Sequence, residues 1–267
     1  MSMLYRCPLC GLALHKQEHA YFCDNRHQFD IAKEHYVNLL PVQFKKSKDP
    51  GDNLAMVQAR RQFLASGHYQ FMCDALAKRI ATDNPSTLLD MGCGEGFYTS
   101  QLANQIRTQV HGIDISKAAI RYAAKRYQDC HFAVASAKQS PFQDHSFDAI
   151  VSIFAPLFVE ECLRLLKPDG LVYQVSPGPR HLFELKSCIY QQVNLHQAPQ
   201  APAGMHCVDE IVLEKQVVLT EQEALDLIYM TPFAWKFQPE HLAELRAQAK
   251  IVVTLSFIIS ALARDAA

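Results

Sequence analysis

Two groups of residues in this chain have types and spacing suited to chemistry. Cys7-Pro8-Leu9-Cys10 sets two thiols in a tight turn, Cys23 follows after twelve residues, and His27 stands three residues beyond it. Cys-x2-Cys-x12-Cys-x3-His has the ligand count of a closed tetrahedral zinc site. Four protein ligands leave no position for water, so the metal is expected to be structural, a clip for a segment too short to bury much core. His15, His19 and His35 compete for the fourth position. Closeness to Cys23 favours His27. The second group is Asp90-Met91-Gly92-Cys93-Gly94-Glu95-Gly96, preceded by the apolar pair Leu88-Leu89. It predicts a buried strand, a glycine turn that lets the backbone approach a ligand, and a helix whose free N–H groups face that ligand.

A dinucleotide turn needs Gly-x-Gly-x-x-Gly, so that a pyrophosphate rests on the helix end. Here the third glycine comes one residue early and Glu95 sits in the turn. An anion would be poorly served there, whereas a cation with an amino-acid tail would not. Asp-x-Gly-x-Gly-x-Gly resembles motif I of class I methyltransferases, whose cofactor, S-adenosylmethionine, carries a sulfonium and no phosphate. Asp114 ends the next expected strand, where a carboxylate accepts two hydrogen bonds from a ribose diol.

The elements that position these residues follow from periodicity. A helix is expected over Leu54–Ala65 with Asn53 as its cap and Gly67 as its stop, and a second from His68 to about Ala81. From Thr87 strand and helix alternate, the sign of a parallel sheet covered on both faces. The strands are Thr87–Met91, Gln109–Ile113, about His131–Ala135, Ala149–Ile153 and Leu171–Val175. Between them lie helices from Phe97 to about Ile106 and over Lys117–Arg126, and one ending near Leu166. A helix over about Leu182–Val193 comes next, then an insertion over Gln197–Gly204. Strand Ile211–Leu219, a Thr220-capped helix Glu221–Tyr229, helix Pro239–Ala249 and strand Ile251–Ile259 close the chain.

Such sheets bind ligands at the carboxyl ends of their strands. Gly92, Gly94, Glu95, Asp114, Ser136 and Phe154 are all expected there, with Ser136 and Ala137 over an adenine ring. Tyr69 is placed to stack on the cofactor or hydrogen-bond it, or to serve as an ordinary core aromatic. Ser176-Pro177-Gly178-Pro179-Arg180-His181 is a stiff loop that projects Arg180 and His181 over the cleft. Arg180 would hold a phosphate or a base oxyanion, and His181 would touch the cofactor or shuttle a proton. These two are the candidate catalytic residues. Phe154-Ala155-Pro156-Leu157 lacks the polar head of the Asn/Asp-Pro-Pro-aromatic signature of amino-group methylation, which argues against an exocyclic amine as acceptor. Phe233 and Trp235 read as core aromatics, with base stacking as the alternative.

With 267 residues, 49% of them hydrophobic and 20% charged, the composition suits a large globular domain with a small one attached. No apolar run approaches the roughly 18 residues of a membrane span. The start, Met1 to Cys7, lacks the charged-then-apolar order of a signal peptide. Nine cysteines, an odd number mostly inside apolar runs, point to a reducing cytoplasm. The net charge of −1 excludes a strong global field. Basic residues are nonetheless in excess over the first 80 positions, and Lys45, Lys46 and Lys48 read either as a solvated linker or as a phosphate-contacting strap.

Taken together, the whole chain resembles the RlmA (RrmA) family of 23S ribosomal RNA guanine-N1 methyltransferases. The phrases that carry the likeness run nearly end to end. They include Cys7-Pro-Leu-Cys10, His27-Gln-Phe-Asp30, Tyr36-Val-Asn-Leu-Leu-Pro-Val-Gln43, Asp49-Pro-Gly-Asp52, Gln58-Ala-Arg-Arg61, Gly67-His-Tyr69, Asp90 to Gly96, Pro177-Gly-Pro-Arg-His181 and Met230-Thr-Pro-Phe-Ala-Trp235. The resemblance implies an α/β class I S-adenosylmethionine-dependent fold, Rossmann-like, with a mostly parallel seven-stranded sheet and a small N-terminal zinc ribbon. It implies a zinc-binding RNA-recognition module over residues 1–43, a basic linker and helical bridge over 44–84, and the methyltransferase domain over 85–267. It also implies a homodimer that holds an rRNA hairpin, zinc on Cys7, Cys10, Cys23 and His27, and Tyr69, Gly94, Glu95 and His181 against the cofactor. With the residues read above, the expected cofactor set is Tyr69, Asp90, Gly92, Gly94, Glu95, Gly96, Asp114, Ser136, Phe154 and His181. The competing expectations are a methyltransferase for another RNA, a protein or a small molecule, with the zinc module binding a partner, and a cofactor-responsive binding module without turnover.

Overall fold

The computed structural model describes residues 4–44 and 54–266. The lysines at 45, 46 and 48 and the expected cap Asn53 lie outside the described residues. The N-terminal part forms an antiparallel sheet of β1 (His15–Gln17), β2 (Ala20–Phe22) and β3 (Gln28–Asp30). It is followed by β4 (Val37–Asn38). Helices α1 (Leu54–Ala65) and α2 (Gln70–Ala81) lead into β5 (Thr87–Met91), α3 (Phe97–Ile106), β6 (Gln109–Asp114), α4 (Lys117–Arg126) and β7 (His131–Val134). Then come β8 (Phe147–Ile153), α5 (Val159–Leu165), β9 (Leu166–Pro177) and α6 (Phe183–Ser187). The chain closes with β10 (Met205–Leu219), α7 (Glu221–Tyr229), α8 (Pro239–Arg246) and β11 (Ile251–Arg264).

The large sheet has the order β10-β11-β9-β8-β5-β6-β7-β4. Pairing is parallel from β9 across to β4, and β11 and β10 close the other edge antiparallel. This is the expected class I sheet of seven strands with an eighth, β4, supplied from the N-terminal part. Val37 and Asn38 pair with Ala133 and Val134, so the N-terminal part is stitched into the sheet edge.

Adjacent residues on a strand point to opposite faces. Leu88 and Leu89 are both fully buried, each in a different apolar cluster. Leu88 packs with Phe63, Met72, Leu76 and Ile80 of α1 and α2. Leu89 belongs to the cluster that holds Tyr5, Cys7, Leu14 and Val37 together with Phe142 and Ile150. A continuous apolar strand is what a two-sided burial requires. The N-terminal part therefore shares a core with the sheet. Tyr5 stacks on Phe142 with ring centroids 5.0 Å apart, and the Arg6 N–H donates to the Pro141 carbonyl at 3.0 Å.

Local chemistry sets several boundaries as expected. Ser116 caps α4 by accepting from the Ala119 N–H, and Thr220 with Glu223 forms a reciprocal capping box at α7. Other boundaries differ. The helix expected over Leu182–Val193 is only Phe183–Ser187, because the chain must double back for the His196 N–H to reach the Pro179 carbonyl at 3.1 Å. β9 starts at Leu166, and Lys167–Gly170 is absorbed as an irregularity between the pairs Phe147–Leu166 and Ala149–Leu171. β10 and β11 outrun their expected spans because they pair with each other along nearly their whole length. Trp235 is not core: it is 74% exposed, while Phe233 packs on the core margin. Among the described residues no helix is long and apolar enough to cross a membrane.

Candidate active site and metal centre

The N-terminal cysteines and His27 converge. Their four ligand atoms all lie within 4.8 Å of one another. Cys7 Sγ and Cys23 Sγ are each 3.4 Å from His27 Nδ1, and Cys10 Sγ is 3.7 Å from Cys23 Sγ. Zinc bonds of about 2.3 Å to sulfur and about 2.0–2.1 Å to nitrogen give tetrahedron edges of about 3.8 Å and about 3.5 Å. The observed edges fit that ion. The rival histidines are elsewhere: His15 pairs with Asp24 at 3.7 Å, and His19 and His35 are exposed. Arg26, between Cys23 and His27, takes the left-handed region at φ 62°, and the Cys23 N–H donates to the His27 carbonyl at 3.1 Å, so the knuckle closes on itself.

At the carboxyl ends of β5 to β9 a cavity of about 860 Å³ opens. The turn after β5 forms its floor. Gly92 sits at φ 86°, and a Cβ there would meet the Ala155 Cβ at 2.8 Å. Gly94 is also left-handed, yet a Cβ added to it meets no protein atom within 4 Å. That bare backbone faces the cavity, and its N–H donates to Asp114 Oδ2 at 3.0 Å. Asp114 Oδ1 accepts from the Ser116 N–H at 2.7 Å. Asp114 lines the cavity at the end of β6, the place where a carboxylate accepts from a ribose diol. Glu95 is buried beside Arg60, with Oε1 and the guanidinium 3.8 Å apart. A carboxylate and a guanidinium at one end of the chamber suit the zwitterionic tail of an amino acid.

Eight of the ten expected cofactor residues line this cavity: Tyr69, Gly92, Gly94, Glu95, Asp114, Ser136, Phe154 and His181. Asp90 and Gly96 do not. Asp90 is buried beneath the turn and accepts from Thr99 Oγ1 at 2.6 Å, and desolvation pushes its carboxyl up to about 7. Gly96 is a packing residue, since a Cβ there would strike Ala123 Cβ at 2.8 Å and Phe132 Cζ at 2.9 Å. Phe154 stands on the rim, 43% exposed, in the left-handed region at φ 54°. Its ring lies nearly parallel to that of His181, with centroids 6.2 Å apart. A non-glycine residue held there marks a place where the surroundings impose the backbone.

Of the two candidate catalytic residues, Arg180 is exposed and its guanidinium lies over the Phe183 ring, 5.2 Å from the centroid, rather than on the cavity wall. His181 is buried on the wall. Its Nδ1 accepts the Ser256 N–H at 3.3 Å, which puts the ring hydrogen on Nε2, 3.5 Å from the Tyr69 hydroxyl. Burial, with Lys186 and His196 nearby, lowers its pKa to about 3. His181 is therefore a neutral donor and not a proton shuttle near neutral pH.

A family model described as RlmA, N-terminal, matches residues 5–48, and a methyltransferase-domain model matches 88–170. Two relatives match nearly end to end. One is Bacillus subtilis YxjB, 30% identical over 94% of each chain. The other is from Micromonospora griseorubida, 31% identical over 94% of this chain and 93% of that one. Both are provisionally named 23S rRNA (guanine-N1-)-methyltransferases. The chain belongs to the RlmA family of 23S rRNA guanine-N1 methyltransferases. A further relative, the 23S rRNA (guanine(748)-N(1))-methyltransferase of Streptomyces fradiae, is 29% identical over 95% of each chain. In this RlmA-family chain the metal is the zinc of the N-terminal ribbon and the cofactor is S-adenosylmethionine, whose sulfonium-bound methyl is the electrophile.

Sequence reasoning gave no role in the site to Arg60, Lys186 or His196, all of which line the cavity. Arg60 lies within the Gln58-Ala-Arg-Arg61 phrase on α1, but nothing in that phrase says which of its two arginines faces the cavity. Lys186 follows His181 by five residues, and His196 lies just before the proline-rich insertion, so only the folded loop brings the pair together. Lys186 Nζ is 2.6 Å from His196 Nε2 and donates to the His181 carbonyl at 2.8 Å.

Proposed function

We propose that this chain transfers a methyl group from S-adenosylmethionine to N1 of one guanine in a hairpin of 23S rRNA, as a cytoplasmic homodimer. The observation that carries the reading is one chamber built for two ligands. Its turn end has bare glycine backbone, Asp114, Glu95 and Arg60, and its outer end is rimmed by Phe154, His181, Lys186 and Phe233. At about 860 Å³ it is near the top of the roughly 300–1,000 Å³ range of ligand sites. Tyr69, Gly92, Gly94, Glu95, Asp114, Ser136, Phe154 and His181 hold the cofactor.

Guanine N1 lies on the Watson–Crick edge, so the target is unpaired or flipped out when it enters. The protein then aligns N1 with the methyl carbon and excludes water. No exocyclic amine is involved, which agrees with the apolar Phe154-Ala155-Pro156 end of β8. Residues 1–43 serve as the RNA-recognition module, 44–84 as the bridge and 85–267 as the methyltransferase domain. Trp235, exposed beside Lys236 with the ammonium 5.3 Å from its ring centroid, offers a stacking face to a flanking base.

The test is transfer of labelled methyl from S-adenosylmethionine into rRNA isolated from a strain lacking the enzyme. Incorporation there and none into fully modified rRNA supports the reading, and equal incorporation into both refutes it. Turnover should also weaken steeply as salt rises, since phosphate contacts release counterions. A salt-independent KM would point to a neutral small acceptor instead.

A further inference from the structure

We propose that Lys186 is the base that takes the N1 proton of the target guanine, with His196 and the His181 carbonyl orienting its amine. The inference rests on the guanine-N1 reading above. At neutral pH guanine N1 carries a hydrogen and has no free pair to attack with, so something on the chamber wall must receive that proton as the new bond forms.

The wall offers few candidates. Asp114 and Glu95 lie at the turn end, where Asp114 already accepts from two backbone N–H groups and Glu95 faces Arg60. The Tyr69 phenol and the Cys93 thiol are buried and Tyr98 is half-buried, and desolvation raises all three, which keeps them protonated. His181 holds its ring hydrogen on the cavity-side nitrogen and spends the other nitrogen on Ser256. Arginine stays protonated throughout. Lys186 and His196 remain.

Their geometry distinguishes the two. Lys186 donates one hydrogen to the His181 carbonyl at 2.8 Å, and its Nζ lies 2.6 Å from His196 Nε2, which accepts from it when the imidazole hydrogen is on Nδ1. An amine has two hydrogens, so these two acceptors consume both. In that amine form, with His196 accepting, the remaining tetrahedral position of Nζ is a lone pair, on a side chain that lines the cavity. His196 Nε2 is engaged in the contact with Lys186 and is not open to the acceptor base. Among the described residues no carboxylate forms an ion pair with Lys186. Glu184, on the same helix, is turned away to the Thr254 N–H and hydroxyl at 2.7 and 2.6 Å. The other groups around Nζ are the Phe233 ring, 5.8 Å to its centroid, and two neutral imidazoles. Lys236 lies over Tyr190 instead. Half-burial without a counter-charge lowers the Lys186 pKa, which makes its amine form accessible.

The step balances as follows. The N1–H bond breaks as its proton moves to Nζ, which becomes an ammonium. The pair left on N1 forms the bond to the methyl carbon, whose bond to sulfur breaks with its pair kept by sulfur. The ammonium can then donate to O6 of the product before losing a proton to water.

The experiment compares wild type with Lys186→Met and Lys186→Arg in rRNA methylation across pH, alongside S-adenosylhomocysteine binding and melting temperature. Loss of a positioned base should lower kcat on the order of 10²–10⁴-fold with little change in KM or cofactor affinity. Wild-type kcat should reach a plateau above the Lys186 pKa, whereas the Lys186→Met rate should keep rising with hydroxide. Small primary amines should restore part of the rate in Lys186→Ala. Independently of activity, the pH midpoint for acylation of Lys186 in the wild-type protein, read by peptide mass spectrometry, should lie below that of exposed lysines. Less than a threefold loss of kcat in folded Lys186→Met, or an ordinary midpoint in wild type, overturns the assignment. Wild type that methylates no rRNA would overturn the guanine reading itself, so the two failures are distinct. If Lys186→Met does not fold, Lys186→Arg and the wild-type midpoint still decide.

Discussion

The glycine turn makes two separable demands, and alanine substitutions at Gly94 and Gly96 should separate them. Both glycines are left-handed, at φ 52° and 78°. A Cβ in that region costs about 1–2 kcal/mol. Gly94→Ala adds nothing further to the folding cost, since its Cβ meets open space. Gly96→Ala also drives a methyl into Ala123 and Phe132 at 2.8–2.9 Å, and overpacking of this kind typically costs about 1–3 kcal/mol more. At roughly 2–4 °C per kcal/mol for a chain of this size, Gly94→Ala should lose about 2–8 °C in Tm and Gly96→Ala about 4–20 °C, the larger loss in any one comparison. Cofactor affinity should run the other way. The Gly94 methyl stands in the cavity where the ligand approaches the backbone, so Kd for S-adenosylhomocysteine should rise at least tenfold, about 1.4 kcal/mol. Folded Gly96→Ala should keep Kd within a fewfold of wild type. Thermal melts and titration calorimetry on the three proteins provide the readout. A Gly94→Ala protein that melts as low as Gly96→Ala and still binds the cofactor normally would refute the division of labour.

Three further outcomes follow from individual contacts. Asp90 has its carboxyl raised by burial to about 7, so the folded chain retains a proton that the unfolded chain releases near pH 4. Its contribution to stability therefore falls as pH rises from about 4 to about 7. Asp90→Asn should flatten that slope in urea melts at pH 5 and pH 8, and an unchanged slope would count against it. Metal analysis should return about one zinc per chain, and Cys23→Ser should abolish it and destabilise the ribbon, visible as faster hydrogen exchange over the β1–β3 strands and the Tyr5–Phe142 contact. Unchanged metal content would refute the ligand set. Trp235→Ala should leave Tm within about 1 °C, as expected of an exposed side chain, but raise KM for rRNA about fivefold or more. An unchanged KM would remove Trp235 from the RNA contact.

The legible parts of this chain were those where chemistry and spacing are local. The Cys-x2-Cys and Cys-x3-His turns, the Gly92–Gly96 turn, and Asp114 at the end of β6 each follow from a run of a few residues. So do the Ser116 and Thr220 caps. What was hidden depended on long-range closure. β4 joins the sheet because Tyr5, Val37 and Leu39 find apolar partners about a hundred residues away. The shortening of α6 comes from His196 folding back on Pro179, and that same reversal creates the Lys186–His196 pair. Asp90 and Gly96 belong to the motif, yet they support the turn from beneath. A motif records both roles in one string and does not say which side chain faces the ligand. Trp235 looked apolar enough for the core, but the 3-10 turn over Ala234–Lys236 places it outside.

The most direct measurement is nucleoside mass spectrometry of 23S rRNA from a strain lacking this gene, before and after incubation with the purified protein and S-adenosylmethionine. The account predicts that 1-methylguanosine is missing beforehand and appears afterwards at a single site, in an RNase fragment from a hairpin. Methyl label in another base or in ribose, or a 1-methylguanosine content identical with and without the protein, would contradict it.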